Sequence, residues 1–320
     1  MASFAFTFEL APGYRLHDVL AFHRRDTEAV AEQVEGNRLR KGVMLGGVPV
    51  LLDVSFEGLV DPSAGASAPG QAVCTVHADG KLSAAARRRL EGQAHDAALN
   101  ILGLRIDPAP FCAFAADDPL LGALVRAQPG LLIVQSATVF EALTWAVIGQ
   151  QINLSFAIAL RRTLIELAGR RHSSGLWCYP GPEDVAALEI DALLARKFSR
   201  AKAETLLRLA QLVHSGALDL ELSPTNSIEQ ISAALLAIKG IGPWTVNYGL
   251  LRGYGHADCS LHGDVAIRAA LQKLLGEETK PDMARTEQWL RQYAPHRTMA
   301  AAHLWASLHA PEKNNSPERE

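Results

Sequence analysis

Ile231-Ser-Ala-Ala-Leu-Leu-Ala-Ile-Lys-Gly-Ile-Gly-Pro-Trp-Thr-Val-Asn-Tyr-Gly-Leu-Leu251 decides the fold. An apolar helical run ends at Gly240-Ile241-Gly242, and Pro243 stands where the first turn of a new helix tolerates a missing N–H. Trp244, Asn247, Tyr248 and Leu251 follow at i, i+3, i+4 and i+7, so the second helix presents one aromatic face. The stretch reads as two helices joined by a very tight hairpin. Glycines on either side of Ile241 permit a sharp turn and let amide N–H groups at a helix N-terminus approach an anion. Two readings stand: a glycine turn between packed helices, or a cradle for a phosphate, which would grip nucleic-acid backbone without reading sequence.

Upstream of the hairpin the pattern stays helical. Phe140, Leu143 and Val147 fall at i, i+3 and i+7 after Thr138, and a further helix is predicted from Lys202 through Val213. Pro180-Gly-Pro182 and Ser223-Pro224 punctuate these helices. The first hundred residues differ. Phe4, Phe6, Phe8 and Leu10 alternate strictly, as do Val48, Val50, Leu52, Val54 and Phe56. A third strand is predicted over Val73 to His77, after a loop from Asp61 to Gly70, and Ser83 starts a helix that runs toward Leu102. The expected fold class is mostly α with an α+β N-terminal domain, a small antiparallel sheet backed by helices. The tail from Pro311 to Glu320 carries nothing large and apolar and is predicted to be disordered.

With 320 residues, 48% hydrophobic and 20% charged, the chain reads as a soluble globular protein of two or three domains. Lys and Arg total 31 against 34 Asp and Glu, a net charge of −3, so any DNA surface must come from local segregation of charge. The four cysteines, Cys74, Cys112, Cys178 and Cys259, are far apart and form no C-x-x-C pair, which argues against a disulfide framework or a cysteine-held metal. No run approaches the ~18 apolar residues of a membrane span, and the N-terminal residues lack a signal-peptide pattern. A cytoplasmic location and no membrane partner are therefore expected. G-x-S-x-G, Walker A and G-x-G-x-x-G motifs are missing, so serine hydrolase, NTPase and dinucleotide chemistry lack support. His256, Asp258, Cys259, His262 and Asp264 crowd together, which raises a metal-dependent hydrolase as a rival, although their spacing matches no standard zinc pattern.

The run Leu235-x-x-Ile-Lys-Gly-Ile-Gly-Pro-Trp-Thr245 resembles the helix-hairpin-helix of the DNA glycosylase superfamily, in which a Gly/Pro-rich loop and an aspartate follow the hairpin. Leu261-His-Gly-Asp-Val-Ala-Ile-Arg268 supplies such a loop with Asp264. Trp145-Ala-Val-Ile-Gly-Gln-Gln151, Trp244-Thr-Val-Asn-Tyr-Gly-Leu-Leu-Arg-Gly253 and Arg297-Thr-Met-Ala-Ala-Ala-His-Leu-Trp305 extend the resemblance to the bacterial 3-methyladenine DNA glycosylase II family. That resemblance implies three domains. An α+β domain would cover residues 1–105, a helical domain with the hairpin 130–257, and a second helical domain 106–129 together with 258–310.

The resemblance also implies the chemistry. An alkylated purine such as N3-methyladenine carries a positive charge and leaves readily, so the enzyme must chiefly stabilise an oxocarbenium-like deoxyribose. A fixed carboxylate does this or orients the attacking water, and Asp264 matches the family's aspartate. Its plain alternative is a helix N-cap. Trp244, Tyr248 and Trp305 match an aromatic pocket for the flipped base, although each type is common in a core. Lyase-competent superfamily members place a Schiff-base lysine where this chain has Trp244, so a monofunctional hydrolase leaving an abasic site is expected.

Gly240, Ile241, Gly242 and Thr245 of the hairpin, with Gln150 and Gln151, are the expected DNA contacts. The carbonyls of Leu236, Ile238 and Ile241 are expected to hold an optional monovalent cation, with no other cofactor. Arg200, Lys202, Arg252 and Arg268 are further candidates for phosphate. Gly149-Gln150-Gln151-Ile152 departs from the family's Gly-Gln-Leu loop: either Gln151 or Ile152 fills the gap left by the flipped base, or the glutamines merely cap the preceding helix. Gly263 stands where the family can carry a second acid. The expected partner is duplex DNA containing alkylated bases, bound by a monomer. The rival is a helix-hairpin-helix module that binds DNA without catalysis.

Overall fold

The computed structural model describes residues 2–58 and 70–308. The expected loop from Asp61, up to residue 69, and the expected disordered tail lie outside the described residues. In chain order the elements are β1 (Ala2–Leu10), α1 (Leu16–His23), β2 (Glu32–Glu35), β3 (Arg38–Leu45), β4 (Val48–Glu57), β5 (Gly70–Ala78) and α2 (Ala84–Ile101). Then follow α3 (Ala109–Phe114), α4 (Leu121–Ala127), α5 (Val139–Gly149), α6 (Leu154–Ala168), α7 (Pro182–Ala186), α8 (Ile190–Leu194), α9 (Arg200–His214), α10 (Ile228–Leu236) and α11 (Pro243–Gly249). A π-helical segment Leu250–Tyr254 continues α11, and α12 (Val265–Leu275), α13 (Met283–Arg291) and α14 (Arg297–Ser307) are the last of the described elements.

The chain divides into two compact units, one of residues 1–107 with 132–256, the other of residues 108–131 with the segment from Ala257 onward. In the first unit the strands form an antiparallel sheet of order β1-β5-β4-β3-β2. The predicted alternation along β1 is observed: Phe8 and Leu10 are buried, while Ser3, Ala5, Thr7 and Glu9 are exposed. Phe6 and Val54 both stand opposite Cys74, placing β5 between β1 and β4. Leu90, Ala94, Ala97, Ala98 and Ile101 of α2 pack into this core. Side-chain caps start the helices where the sequence offers Ser, Thr or Asn: Ser83 for α2, Thr138 for α5, Asn153 for α6, Ser199 for α9 and Ser227, with Gln230, for α10.

Strands β2 and β3 are not evident from alternation because charge interrupts it. Leu39, Lys41 and Val43 share a parity on β3, and all three are buried, Lys41 to 1% exposure. Glu32 pairs directly across from Lys41, whose Nζ lies 2.5 Å from Glu32 Oε1 and 2.8 Å from Glu141 Oε1 of α5. Arg161 of α6 completes the group, 2.8 Å from Glu141 and 3.3 Å from Glu32. Burial alone would push both carboxyl groups up, but Arg161 and Lys41 outweigh it and hold them below their ordinary range, Glu32 well below. His23 of α1 adds a hydrogen bond to Glu32.

Removing one member of such a group strands the others. Lys41→Met is expected to cost about 3–5 kcal/mol in urea unfolding at pH 7, because two buried carboxylates lose a partner. The carboxylates' folded pKa values are depressed, so their contribution is present above the unfolded value of about 4.3 and is lost as pH falls through the folded values. The gap between variant and wild type should therefore narrow in unfolding measurements carried below about pH 4.

Candidate DNA-processing site

In the first unit, α10 and α11 form the predicted hairpin. Gly240 has φ +93°, a left-handed backbone that favours glycine, and a Cβ there would collide with Oγ1 of Thr205. The turn closes through a hydrogen bond from the Ile241 amide to the Ile238 carbonyl at 3.0 Å. Gly242, the residue before Pro243, is different: its φ is −107°, and a Cβ would meet nothing within 4 Å. Open space therefore stands over the backbone where α11 begins.

Gln150 ties the loop after α5 to this hairpin. Its Nε2 donates to the Gly240 carbonyl and to Thr245 Oγ1, both at 2.9 Å. Thr245 is buried beneath the hairpin. Gln151 is exposed and has φ +54°, a conformation that costs a non-glycine residue on the order of 1 kcal/mol. Ile152 is half-buried.

Trp244 and Tyr248 face each other with ring centroids 5.2 Å apart at 33°, and both are half-buried. Leu251, placed by period on the same face, is fully buried, because the helix widens to π geometry from Leu250 and the 3.6-residue period stops applying. Tyr248 Oη accepts from Trp145 Nε1 of α5 at 2.9 Å. Around this pair a small cavity, about 20 Å³, is lined by Phe22, Arg25, Trp145 and Arg252 among others. Arg25 Cζ lies 3.6 Å from the Phe22 ring centroid and 5.5 Å from that of Trp145, and burial pulls its guanidinium down to about 10.

In the second unit, Asp264 is the N-cap of α12. Its Oδ1 accepts from the amides of Ala266 at 2.9 Å and Ile267 at 3.0 Å, and from Trp305 Nε1 at 3.2 Å. Trp305 thus orients the carboxylate through its indole N–H, a contact that the reading of it as a stacking surface does not contain. The approach to Asp264 is braced by Arg297, whose Nε lies 2.7 Å from Asp258, and by Thr298 Oγ1, which accepts the Cys259 amide at 2.9 Å. His262 Nδ1 lies 2.9 Å from Ser260 Oγ. Of the residues weighed for a metal hydrolase, Asp258, Cys259, His262 and Asp264 are engaged in these contacts, and among the described residues no three His, Cys, Asp or Glu side chains are gathered as ligands.

Residues 144–296 match the HhH-GPD superfamily of base excision DNA repair proteins. The DNA-3-methyladenine glycosylase of Bacillus subtilis (strain 168) is 31% identical over 206 residues, 63% of this chain and 68% of that protein. DNA-3-methyladenine glycosylase 2 of Escherichia coli (strain K12) is 31% identical over 187 residues, 58% of this chain and 63% of that protein. The chain belongs to the DNA-3-methyladenine glycosylase family of the HhH-GPD superfamily. It spans about two thirds of the length of the curated relatives it matches. The 3-methyladenine DNA glycosylase of Archaeoglobus fulgidus shares the fold, with a TM-score of 0.72, 20% identity, and coverage of 94% of this chain and 97% of that one.

Within this glycosylase-family chain, the hairpin residues, Gln150, Trp244 and Tyr248 lie in the first unit, and Asp264 and Trp305 in the second. Three candidates for phosphate are committed elsewhere. Lys202 donates to the carbonyls of Val147 and Gln150, Arg252 Nη1 to the Val134 carbonyl, and Arg268 Nε to the Pro281 carbonyl at 2.7 Å. Phe22, Arg25 and the Trp145 partner of Tyr248 line the small cavity although no sequence motif marks them as site residues. Trp145 carried a local signal, lying two helical turns or less before Gln150; Phe22 and Arg25 carried none, being more than 200 residues from Tyr248 in sequence.

The two hairpin glycines should separate on substitution. Gly240→Ala is strained and clashes with Thr205, so it is expected to lower thermal stability by roughly 1–3 kcal/mol. Gly242→Ala should leave melting unchanged and weaken binding to lesion-free duplex in a titration, since the added methyl occupies only the open space.

Proposed function

We propose that the chain is a monofunctional DNA N-glycosylase that flips an alkylated purine, 3-methyladenine or a related lesion, out of duplex DNA and hydrolyses its glycosidic bond, leaving an abasic site. It acts as a monomer in the cytoplasm; among the described residues no helix is long and apolar enough to cross a membrane. The observation that carries the reading is Asp264, a carboxylate fixed by two amides and an indole N–H in a chain of this family. Hydrogen bonds that hold an anion in place before the reaction mean that no reorganisation is needed when positive charge develops on the sugar. The relatives' naming for 3-methyladenine supports the substrate class. The facing rings of Trp244 and Tyr248 suit an electron-poor base, which stacks well on aromatic rings.

The backbone at Gly240–Gly242 would take a phosphate, and Gln151, exposed beside it, would fill the base stack. A monovalent cation on the carbonyls of Leu236, Ile238 and Ile241 would bridge hairpin and phosphate. Ile238 accepts one amide already and has a second lone pair for such an ion. No other cofactor is required by this chemistry.

Asp264→Asn keeps a good N-cap while removing the charge. Melting should be unchanged, and excision of 3-methyladenine should fall by about 10²-fold or more. Hypoxanthine, a neutral and poorer leaving group, should be at least as sensitive. With Trp244 in place of a lysine, strand breaks should appear only after alkali or heat, and borohydride should trap no covalent complex. Near-normal excision by folded Asp264→Asn would remove the carboxylate from the mechanism, and efficient trapping would overturn the monofunctional assignment. Binding without base release by the wild type would favour a non-catalytic DNA-binding module.

A further inference from the structure

Helix α9 carries two side chains that act on backbone outside the helix. Lys202 Nζ donates to the Val147 carbonyl at 3.2 Å and to the Gln150 carbonyl at 2.5 Å, at the C-terminal end of α5. Three residues further on, Thr205 Oγ1 lies 3.3 Å from the Lys239 carbonyl and fills the space that a Cβ on Gly240 would need. Gln150 closes the circuit through its side chain, bonded to the Gly240 carbonyl and Thr245. The loop bearing Gln151 and the hairpin are thus joined directly and again through α9.

The end of α5 explains why a cation is placed there. Final carbonyls of a helix need donors, and a helix commonly supplies them by turning through a glycine in left-handed conformation. Here the residue after the C-cap Gln150 is Gln151, held at φ +54° without a glycine's freedom. The Lys202 ammonium satisfies two of the carbonyls and complements the negative end of the helix dipole. It is half-buried, and although burial lowers its pKa, the two carbonyls give the ammonium hydrogen-bond acceptors in place of water.

We propose that Lys202 is a positioning residue for base flipping: by bracing the carbonyls of Val147 and Gln150 it holds Gln151 in its left-handed, outward conformation, so the plug is preset when the hairpin takes the phosphate. The inference rests on the glycosylase reading and assigns within it a lysine that sequence alone makes a candidate for phosphate. Lys202 acts through the loop. Its loss should therefore slow the opening of an intact base stack and spare the bond-breaking step.

The test is single-turnover excision of hypoxanthine from two duplexes, one with thymine opposite the lesion and one with a tetrahydrofuran abasic analogue opposite it, where flipping costs less. Stopped-flow fluorescence of 2-aminopurine beside the lesion reads flipping directly. Lys202→Met is expected to slow excision from the paired duplex by about 10- to 100-fold. It should change the abasic-opposed duplex by less than about threefold and slow the 2-aminopurine rise in parallel with the paired duplex. Lys202→Arg, which keeps a cationic donor, should recover most of the loss. Lys202→Met should add little to Gln151→Ala, because the plug is already gone. Should the Met variant fail to fold, Lys202→Gln carries the same comparison. Equal losses on both duplexes, an unchanged 2-aminopurine rise, or full additivity with Gln151→Ala would overturn the proposal. Wild-type protein that released no base from either duplex would overturn the glycosylase reading, and this inference with it.

Discussion

Within the first unit, placement of the site residues depends on a buried set of four charges. Glu32 and Lys41 stand opposite each other on β2 and β3, while Glu141 and Arg161 enter from α5 and α6. Each carboxylate has cationic partners, so the group can be buried only when strands and helices meet in one arrangement. Such clusters contribute little net stability compared with an apolar core, but a misplaced member leaves an unpaired charge in low dielectric. Here the cluster ties α5 to β3 and α6 to β2. It fixes α5 against the sheet, and α5 projects Trp145 and Gln150 toward the hairpin helix.

The next step in the chain of dependence is close packing of α11 and the π segment on α5. A Cβ at Gly249 would press into Leu143, and one at Gly253 would crowd Val139 and Ala142. These glycines allow a short approach, and the short approach brings Tyr248 within hydrogen-bonding reach of Trp145. The π widening at Leu250–Tyr254 then places Arg252 with its guanidinium 5.8 Å from the Tyr248 ring and 5.2 Å from Phe22. A regular helix would carry position 252 to another angle. One local change of helical geometry thus turns a residue read as a phosphate contact into a wall of the aromatic cavity.

What could be read from sequence was whatever local chemistry determines. The hairpin was legible because Gly-x-Gly-Pro is a backbone instruction, β1 and β4 because an apolar residue recurs at every second position from Phe4 to Leu10 and from Val48 to Phe56, and β5 as a short run over Val73 to His77. β2 and β3 were not, since Lys41 occupies a position where alternation calls for an apolar side chain, and one of its two carboxylate partners, Glu141, comes from α5, 100 residues away. Phe22 and Arg25 were hidden for the same reason. Lys202 was legible as a cation but not in its role, because the carbonyls that attract it belong to another helix. The Gln151 backbone angle is likewise set by its surroundings, as a glutamine does not by itself call for a left-handed turn.

Asp264 shows that a structural reading and a functional one need not compete. It caps α12, as an aspartate in that position does on physical grounds alone, and the same hydrogen bonds make it a better electrostatic group. A carboxylate free to rotate would have to be ordered during the reaction, and that cost would fall on the transition state. Two amides and the Trp305 indole order it in advance, at the stage of folding. All three donors converge on Oδ1, which orients the plane of the carboxylate and with it the position of Oδ2. In the proposed reaction, the helix cap is therefore the means by which a flexible acidic side chain becomes a fixed negative charge.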